Sequence, residues 1–153
     1  MKLFAALICA ALILMTGNVF AHSYQQGDIR IGHTWARATP PGITVTAVYL
    51  PLLNSGTERD RLIGASSPLA EKVEIHGEVK DGNVVKMQKL EAIVLEPNEP
   101  VSLRPNGTHL MVFGLKQPLK EGDMMPLTLQ FEKAGAAKIE AMIEPAGAMS
   151  GSR

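Results

Sequence analysis

Thiol sulfur is nearly missing from this chain. One cysteine, Cys9, occurs in 153 residues, which excludes an intramolecular disulfide and any metal site built from several thiolates. Aromatic residues make up only 5 %, too few to suggest a base-stacking surface. Lys plus Arg and Asp plus Glu number 15 each, with no basic run or stripe, so a nucleic-acid partner has no electrostatic footprint to bind. There is no Gly-x-Ser-x-Gly, no His-Glu-x-x-His and no phosphate loop, which removes the common signatures of hydrolases, zinc peptidases and nucleotide enzymes. Only one apolar run is long, Leu3–Met15 with 13 residues, and a membrane-spanning helix needs about 20.

That run sits in a recognisable context. Lys2 precedes it, and Val19 and Ala21 follow at the −3 and −1 positions of a small-residue cleavage site. The pattern predicts a secretory signal peptide over 1–21, cleavage after Ala21, and one exported domain over 22–153 with no stable membrane insertion. Cys9 lies in the middle of the run and not just after it, so lipidation is not expected. Removing 1–21 removes the only cysteine and leaves 14 basic against 15 acidic residues.

What is plentiful is punctuation and thioether. Ten prolines and 14 glycines cut the chain into short segments, and most segments read as strands. Thr44–Leu50 is β-branched and is expected to end near Pro51. Val84–Leu90 and Val101–Leu103 are short apolar or alternating runs. Leu127, Leu129 and Phe131 alternate with Thr128 and Gln130, and Ile139, Ala141 and Ile143 alternate with Glu140, Met142 and Glu144. Short alternating strands separated by turns predict an all-β sandwich or barrel in a single domain. Pro68–Glu71 is the one stretch that suggests a helical turn.

Six methionines and all four histidines lie beyond residue 21. Two turns organise them. Asp81-Gly82 is a type I′ hairpin signal; with these as the two loop residues, His76 falls directly opposite Met87, where side chains share a face at about 5 Å between Cβ atoms. Pro105-Asn106-Gly107 is a second turn, expected to join Val101–Leu103 and Thr108–Phe113 as a hairpin, and after it His109 and Met111 stand two apart on one strand face. Each turn region thus offers one imidazole and one thioether. Both ligand types are neutral and suit a soft monocation, Cu(I), better than a dication that recruits thiolate or carboxylate. Equally, a methionine in such a run is ordinary core filler. His22 would become the N-terminal residue after cleavage, where amine and imidazole together can chelate copper, so a copper enzyme built on His22 is a rival reading. His33 reads as structural or surface, Trp35 as a core or site-flanking aromatic, Met124-Met125, which follow Gly122-Asp123 in a turn, as packing residues or a weak exposed thioether pair, and Met142 as facing away from Ile139, Ala141 and Ile143.

At these residues the chain resembles the PCuAC family of periplasmic copper chaperones. That family's pattern is His, ten residues, Met, twenty-one residues, His-x-Met, and His76, Met87, His109 and Met111 reproduce every interval. Trp35-Ala36-Arg37, Ala47-Val48-Tyr49-Leu50, Asn54-Ser55-Gly56 and Gly114–Leu119 extend the likeness over roughly 33–144. Gly77 stands where some members carry a methionine, and the C-terminal segment keeps only Met149 of the His/Met-rich tail others have. The resemblance implies a cupredoxin-like Greek-key β-sandwich, no enzymatic activity, and Cu(I) held by His76, Met87, His109 and Met111, with Cu(II) at a secondary site as a further option. It also implies carriage of copper toward the CuA centre on subunit II of cytochrome c oxidase, alongside Sco-type copper proteins. Periplasmic copper storage or resistance is the alternative use of the same site.

Overall fold

The computed structural model describes residues 23–152; the segment read as a signal peptide and His22 lie outside the described residues. The chain forms β1 (Tyr24–Gln26), β2 (Ile29–Ile31), β3 (Trp35–Arg37), β4 (Val45–Asn54), β5 (Asp60–Ser66) and β6 (Lys72–Asp81). It continues with β7 (Val84–Leu90), β8 (Ile93–Leu95), β9 (Pro100–Leu103), β10 (His109–Phe113), β11 (Met124–Phe131) and β12 (Gly135–Glu144). No helix occurs among the described residues.

Strand pairing closes on itself as β4–β10–β6–β5–β11–β12–β3–β4. The closure is loose at two corners. β5 and β6 share one registered pair, Ala65 with Val73, and β3 contributes three residues. The ring therefore flattens into two layers, the β-sandwich expected from the alternating runs. The longest hairpin, β11–β12, shows why the layers stick. Met125, Leu127, Leu129 and Phe131 point inward and are buried, as are Ala137, Ile139, Ala141 and Ile143 on β12. Full burial of a Leu, Ile or Phe side chain contributes about 1.5–3 kcal/mol, so strict alternation commits each strand to one face. Met125 takes the packing alternative: it belongs to this core and lies inside β11, beyond the turn at Gly122-Asp123.

Four expectations need correction. The strand beginning near Thr44 does not end at Pro51 but runs on to Asn54. Proline is tolerated there because β4 changes neighbours at that point: β10 flanks Val45–Val48, whereas β9 flanks Leu50–Leu53. The Pro51 carbonyl still accepts a bond from the Gly32 N–H at 3.0 Å. Second, 68–71 is a simple turn closed by the Ala70 N–H on the Ser67 carbonyl. Third, β9 and β10 are not a hairpin pair. The turn at 104–108, with Asn106 at φ 61°, carries the chain from one stretch of β4 to the next.

The fourth correction concerns the β6–β7 hairpin. Its loop is Gly82-Asn83, closed by the Asp81–Val84 pair. Only Gly82 of the two has positive φ, 61°, which fits a type II′ turn with glycine first and not the type I′ turn expected of Asp-Gly. Every partner number shifts accordingly: His76 faces Lys89, and Met87 faces Glu78.

Candidate metal centre

The two histidines are brought together by strand pairing. β10 lies between β4 and β6, and His109 is the direct cross-strand partner of His76. Their ring centroids are 6.2 Å apart with a 36° tilt. Met111, two residues along β10, shares the His109 face and stands between Ala47 on β4 and Glu74 on β6. The inward-facing residues of the same strands, Leu110, Val112 and Ile75, are buried at 3 % exposure or less. They anchor the sheet whose outer face carries the imidazoles.

Met87 is placed differently. The shift in hairpin register leaves it on the His76 face, because Glu78 and His76 are two apart on β6. It moves Met87 one row outward, to a diagonal position about 7–8 Å away, with the Cβ atoms somewhat closer. β7 pairs only with β6, and Met87 is 45 % exposed. The His76 ring leans the other way, with its centroid 5.9 Å from that of Phe113. His76, His109 and Met111 therefore form a compact group within the sheet, and Met87 stands beside it on a projecting ribbon.

Each imidazole has one nitrogen committed to an oxygen acceptor. The His109 Nδ1–H donates to the Gly107 carbonyl at 2.8 Å, which leaves Nε2 open. The His76 Nε2–H donates to Glu74 Oε2 at 2.9 Å, which leaves Nδ1 open. Glu74 also takes Lys72 Nζ at 3.1 Å and lies 3.8 Å from Lys89 Nζ. The bond from His76, then that from Lys72, holds its carboxyl below the usual carboxylate range against the opposing pull of burial.

Aromatic rings continue the row away from β6. Tyr49 lies 6.2 Å from His109, and Trp35 lies 4.5 Å from Tyr49, centroid to centroid. Burial pushes the Tyr49 phenol up, while Arg37, 5.5 Å from the ring centroid, pulls it down. Arg37 also ties the C-terminal segment to this face, donating to the Ala148 carbonyl at 2.9 Å and to the Met149 sulfur at 3.3 Å. His33 packs under the same segment beside Trp35 and Glu144. Trp35 and Tyr49 flank the site; Met142 is on the outer face, paired with Met124. Glu74 and Tyr49 were not singled out from sequence. For Glu74 the signal was present, since it stands two residues before His76 in one strand.

Among the described residues no group of three His, Cys, Asp or Glu side chains is arranged to hold a metal ion; what the outer face of β6 and β10 gathers is two imidazoles and the Met111 thioether. Met111 borders a cavity of about 280 Å³ lined also by Arg37, Ile43, Val45 and Ala47. A larger cavity, about 360 Å³, lies around Asp28, Asn54, Glu58, Asp60 and Lys133. It has no soft donor, and two of its carboxylates are in use: Asp60 accepts three backbone N–H bonds and Glu58 pairs with Lys133.

The family described as LpqE-like matches residues 29–143. Among solved structures, the copper-bound PCuAC domain from PmoF2 is similar, at 33 % identity and a TM-score of 0.72, over 81 % of this chain and 98 % of that domain. The Cu(I) form of DR1885 from Deinococcus radiodurans matches at 26 % identity and a TM-score of 0.62, over 81 % of each chain. Among curated sequences, Lxx21020 of Leifsonia xyli subsp. xyli, named as a lipoprotein, is 27 % identical over 75 % of this chain and 69 % of its own length.

Proposed function

The chain belongs to the LpqE-like, PCuAC-type family, and from that premise we propose that it carries Cu(I) in the periplasm, held by His76, His109, Met111 and Met87. The observation that carries the reading is the direct pairing of His76 with His109, with Met111 on the same face and one free ring nitrogen on each imidazole. The copper-bound state of the PmoF2 domain and the Cu(I) state of DR1885 support it.

The chemistry follows from the donors. Two imidazoles and thioether sulfur bring no negative charge, so a bound monocation keeps its charge and is not over-neutralised. Thioether is soft and prefers Cu(I). The surrounding sheet fixes three donors in advance. The exposed Met87 on its ribbon is the donor easiest to exchange for one from a partner. Release then needs neither redox chemistry nor unfolding: an incoming ligand replaces Met87, and the ion passes across by stepwise substitution. The recipients we propose are a Sco-type copper protein or the CuA centre of cytochrome c oxidase subunit II. Export would be directed by the signal peptide over 1–21, with cleavage after Ala21 releasing the mature domain.

Competition between purified protein lacking 1–21 and a chromophoric Cu(I) chelator tests the reading. It should show one equivalent of Cu(I) per chain, and replacing all four residues by alanine should abolish that binding. Retention of wild-type affinity by the fourfold variant would rule the assignment out. Incubating the Cu(I) form with a soluble apo CuA domain, and following metal by native mass spectrometry, tests the recipient.

A further inference from the structure

Resting on the copper reading above, we infer that Glu74 is a positioning residue that makes the two histidines unlike ligands: His76 binds the metal through Nδ1 and His109 through Nε2.

The argument starts from strand alternation. Glu74 and His76 are two apart on β6, so the carboxylate stands beside the imidazole on the outer face. Oε2 receives the Nε2–H at 2.9 Å. A ring nitrogen that holds a proton in a hydrogen bond has no lone pair for a metal, so the proton's location decides which nitrogen is left as the ligand. Ligating histidines generally anchor their second ring nitrogen on a carboxylate or a backbone carbonyl. Both kinds of anchor are present here, one for each histidine, and they engage opposite nitrogens: Glu74 takes Nε2 of His76, and the Gly107 carbonyl takes Nδ1 of His109.

The carboxylate is itself held. Lys72 binds the other oxygen, Oε1, at 3.1 Å, and Lys89, directly across from His76, lies 3.8 Å from the same atom. Glu74 is only 18 % exposed. With Oε1 turned to two ammonium groups, Oε2 is the atom left to hold the ring. Lys72 also lies over the Phe113 ring, 4.9 Å from its centroid, and the His76 ring packs against that same phenyl group. Two contacts of different kinds therefore fix the His76 ring, one through Glu74 and one through Phe113. This arrangement also separates Glu74 from the donor set. Its negative charge is spent on Lys72, Lys89 and the ring N–H, so the ligands themselves stay neutral.

Silver(I) tests this directly, because it is a soft d10 monocation like Cu(I) and its nuclear spin splits the signal of a bonded nitrogen-15. In protein labelled at histidine and lacking residues 1–21, added Ag(I) should split Nδ1 of His76 and Nε2 of His109. In Glu74→Leu the splitting at His76 should spread to Nε2, while His109 keeps its Nε2 signal. Cu(I) affinity should fall about 10-fold or more, as for loss of other second partners of a ligating histidine. Splitting at Nε2 of His76 in the unaltered protein would overturn the inference, because Glu74 would then be a group the metal displaces, and the copper reading would stand. An unchanged His76 signal and affinity in Glu74→Leu would overturn it as well. Absence of any splitting at both histidines would remove the copper reading along with it.

Discussion

Met111→Leu separates ligand chemistry from folding. The side chain stands on β10 between Ala47 and Glu74 and is half-buried beside the 280 Å³ cavity. A volume-conserving Met-to-Leu change usually costs under about 1.5 kcal/mol, and adjoining free space lets the branched leucine settle. The fold should therefore survive with a small drop in melting temperature. Binding should not survive as well. Loss of a partner one shell beyond the metal costs about 10–100-fold in affinity, so loss of a donor sulfur should reach about 100-fold, or about 2.8 kcal/mol at ~1.4 kcal/mol per factor of ten. Met87→Leu should cost less, about 10-fold, because Met87 is diagonal to His76 and its strand is paired on one side only. Chelator competition run beside thermal melts gives both quantities on one sample. Unchanged Cu(I) affinity in Met111→Leu would refute the assignment of that sulfur. Equal losses in the two variants would refute the ranking and mean that the β6–β7 ribbon closes onto the metal.

Gly77 follows His76 directly on β6, opposite Gln88. A Cβ there would lie 2.5 Å from Leu90 Cδ1 and 3.1 Å from Thr108 Oγ1, and the residue after His76 points to the opposite face. Gly77→Met should lower stability by roughly 2 kcal/mol through overpacking and leave Cu(I) affinity no tighter, read by melting and chelator competition. Asp60 predicts an acid effect. Burial pushes its carboxyl up, but the backbone N–H groups of Lys133, Arg61 and Ala134 and the Lys133 charge bring it below its ordinary value. A depressed folded pKa stabilises the protein above the unfolded value near 3.9, and that stability is lost as pH falls through the folded value. Asp60→Asn should cost about 2 kcal/mol at pH 7, since one charge-assisted acceptor becomes a donor. In chemical denaturation the gap from the unaltered protein should close below about pH 3.9.

Strand content was the readable part of the fold, and the reason is local. β11 and β12 alternate strictly and bury one face, so their sequences state both type and orientation. Val84–Leu90 is bounded by turn residues and matches its strand end to end. Pro51 misled because a proline reads as a stop, whereas a strand that exchanges partners can carry one. The hairpin register failed for a related reason. Asp-Gly and Gly-Asn both offer a two-residue loop around Gly82, and which one closes is settled by strand packing beyond the turn. That slip moved each pair sum by two, so it preserved the face of Met87 and changed only its row. The His76–His109 contact was not readable from local pattern at all. It is a pairing between residues that are 33 apart in sequence, and only the family spacing pointed to it. The i, i+2 spacing of Glu74 and His76 was legible, but which ring nitrogen each anchor engages depends on the side-chain geometry of Glu74 and on the Gly107 carbonyl, which no residue pattern encodes.

X-ray absorption at the copper edge of the Cu(I)-loaded protein tests the central claim most directly. Imidazole nitrogen and thioether sulfur should both appear in the first shell, with the sulfur contribution falling in Met111→Leu. A shell made only of nitrogen and oxygen, unchanged by that substitution, would contradict the account.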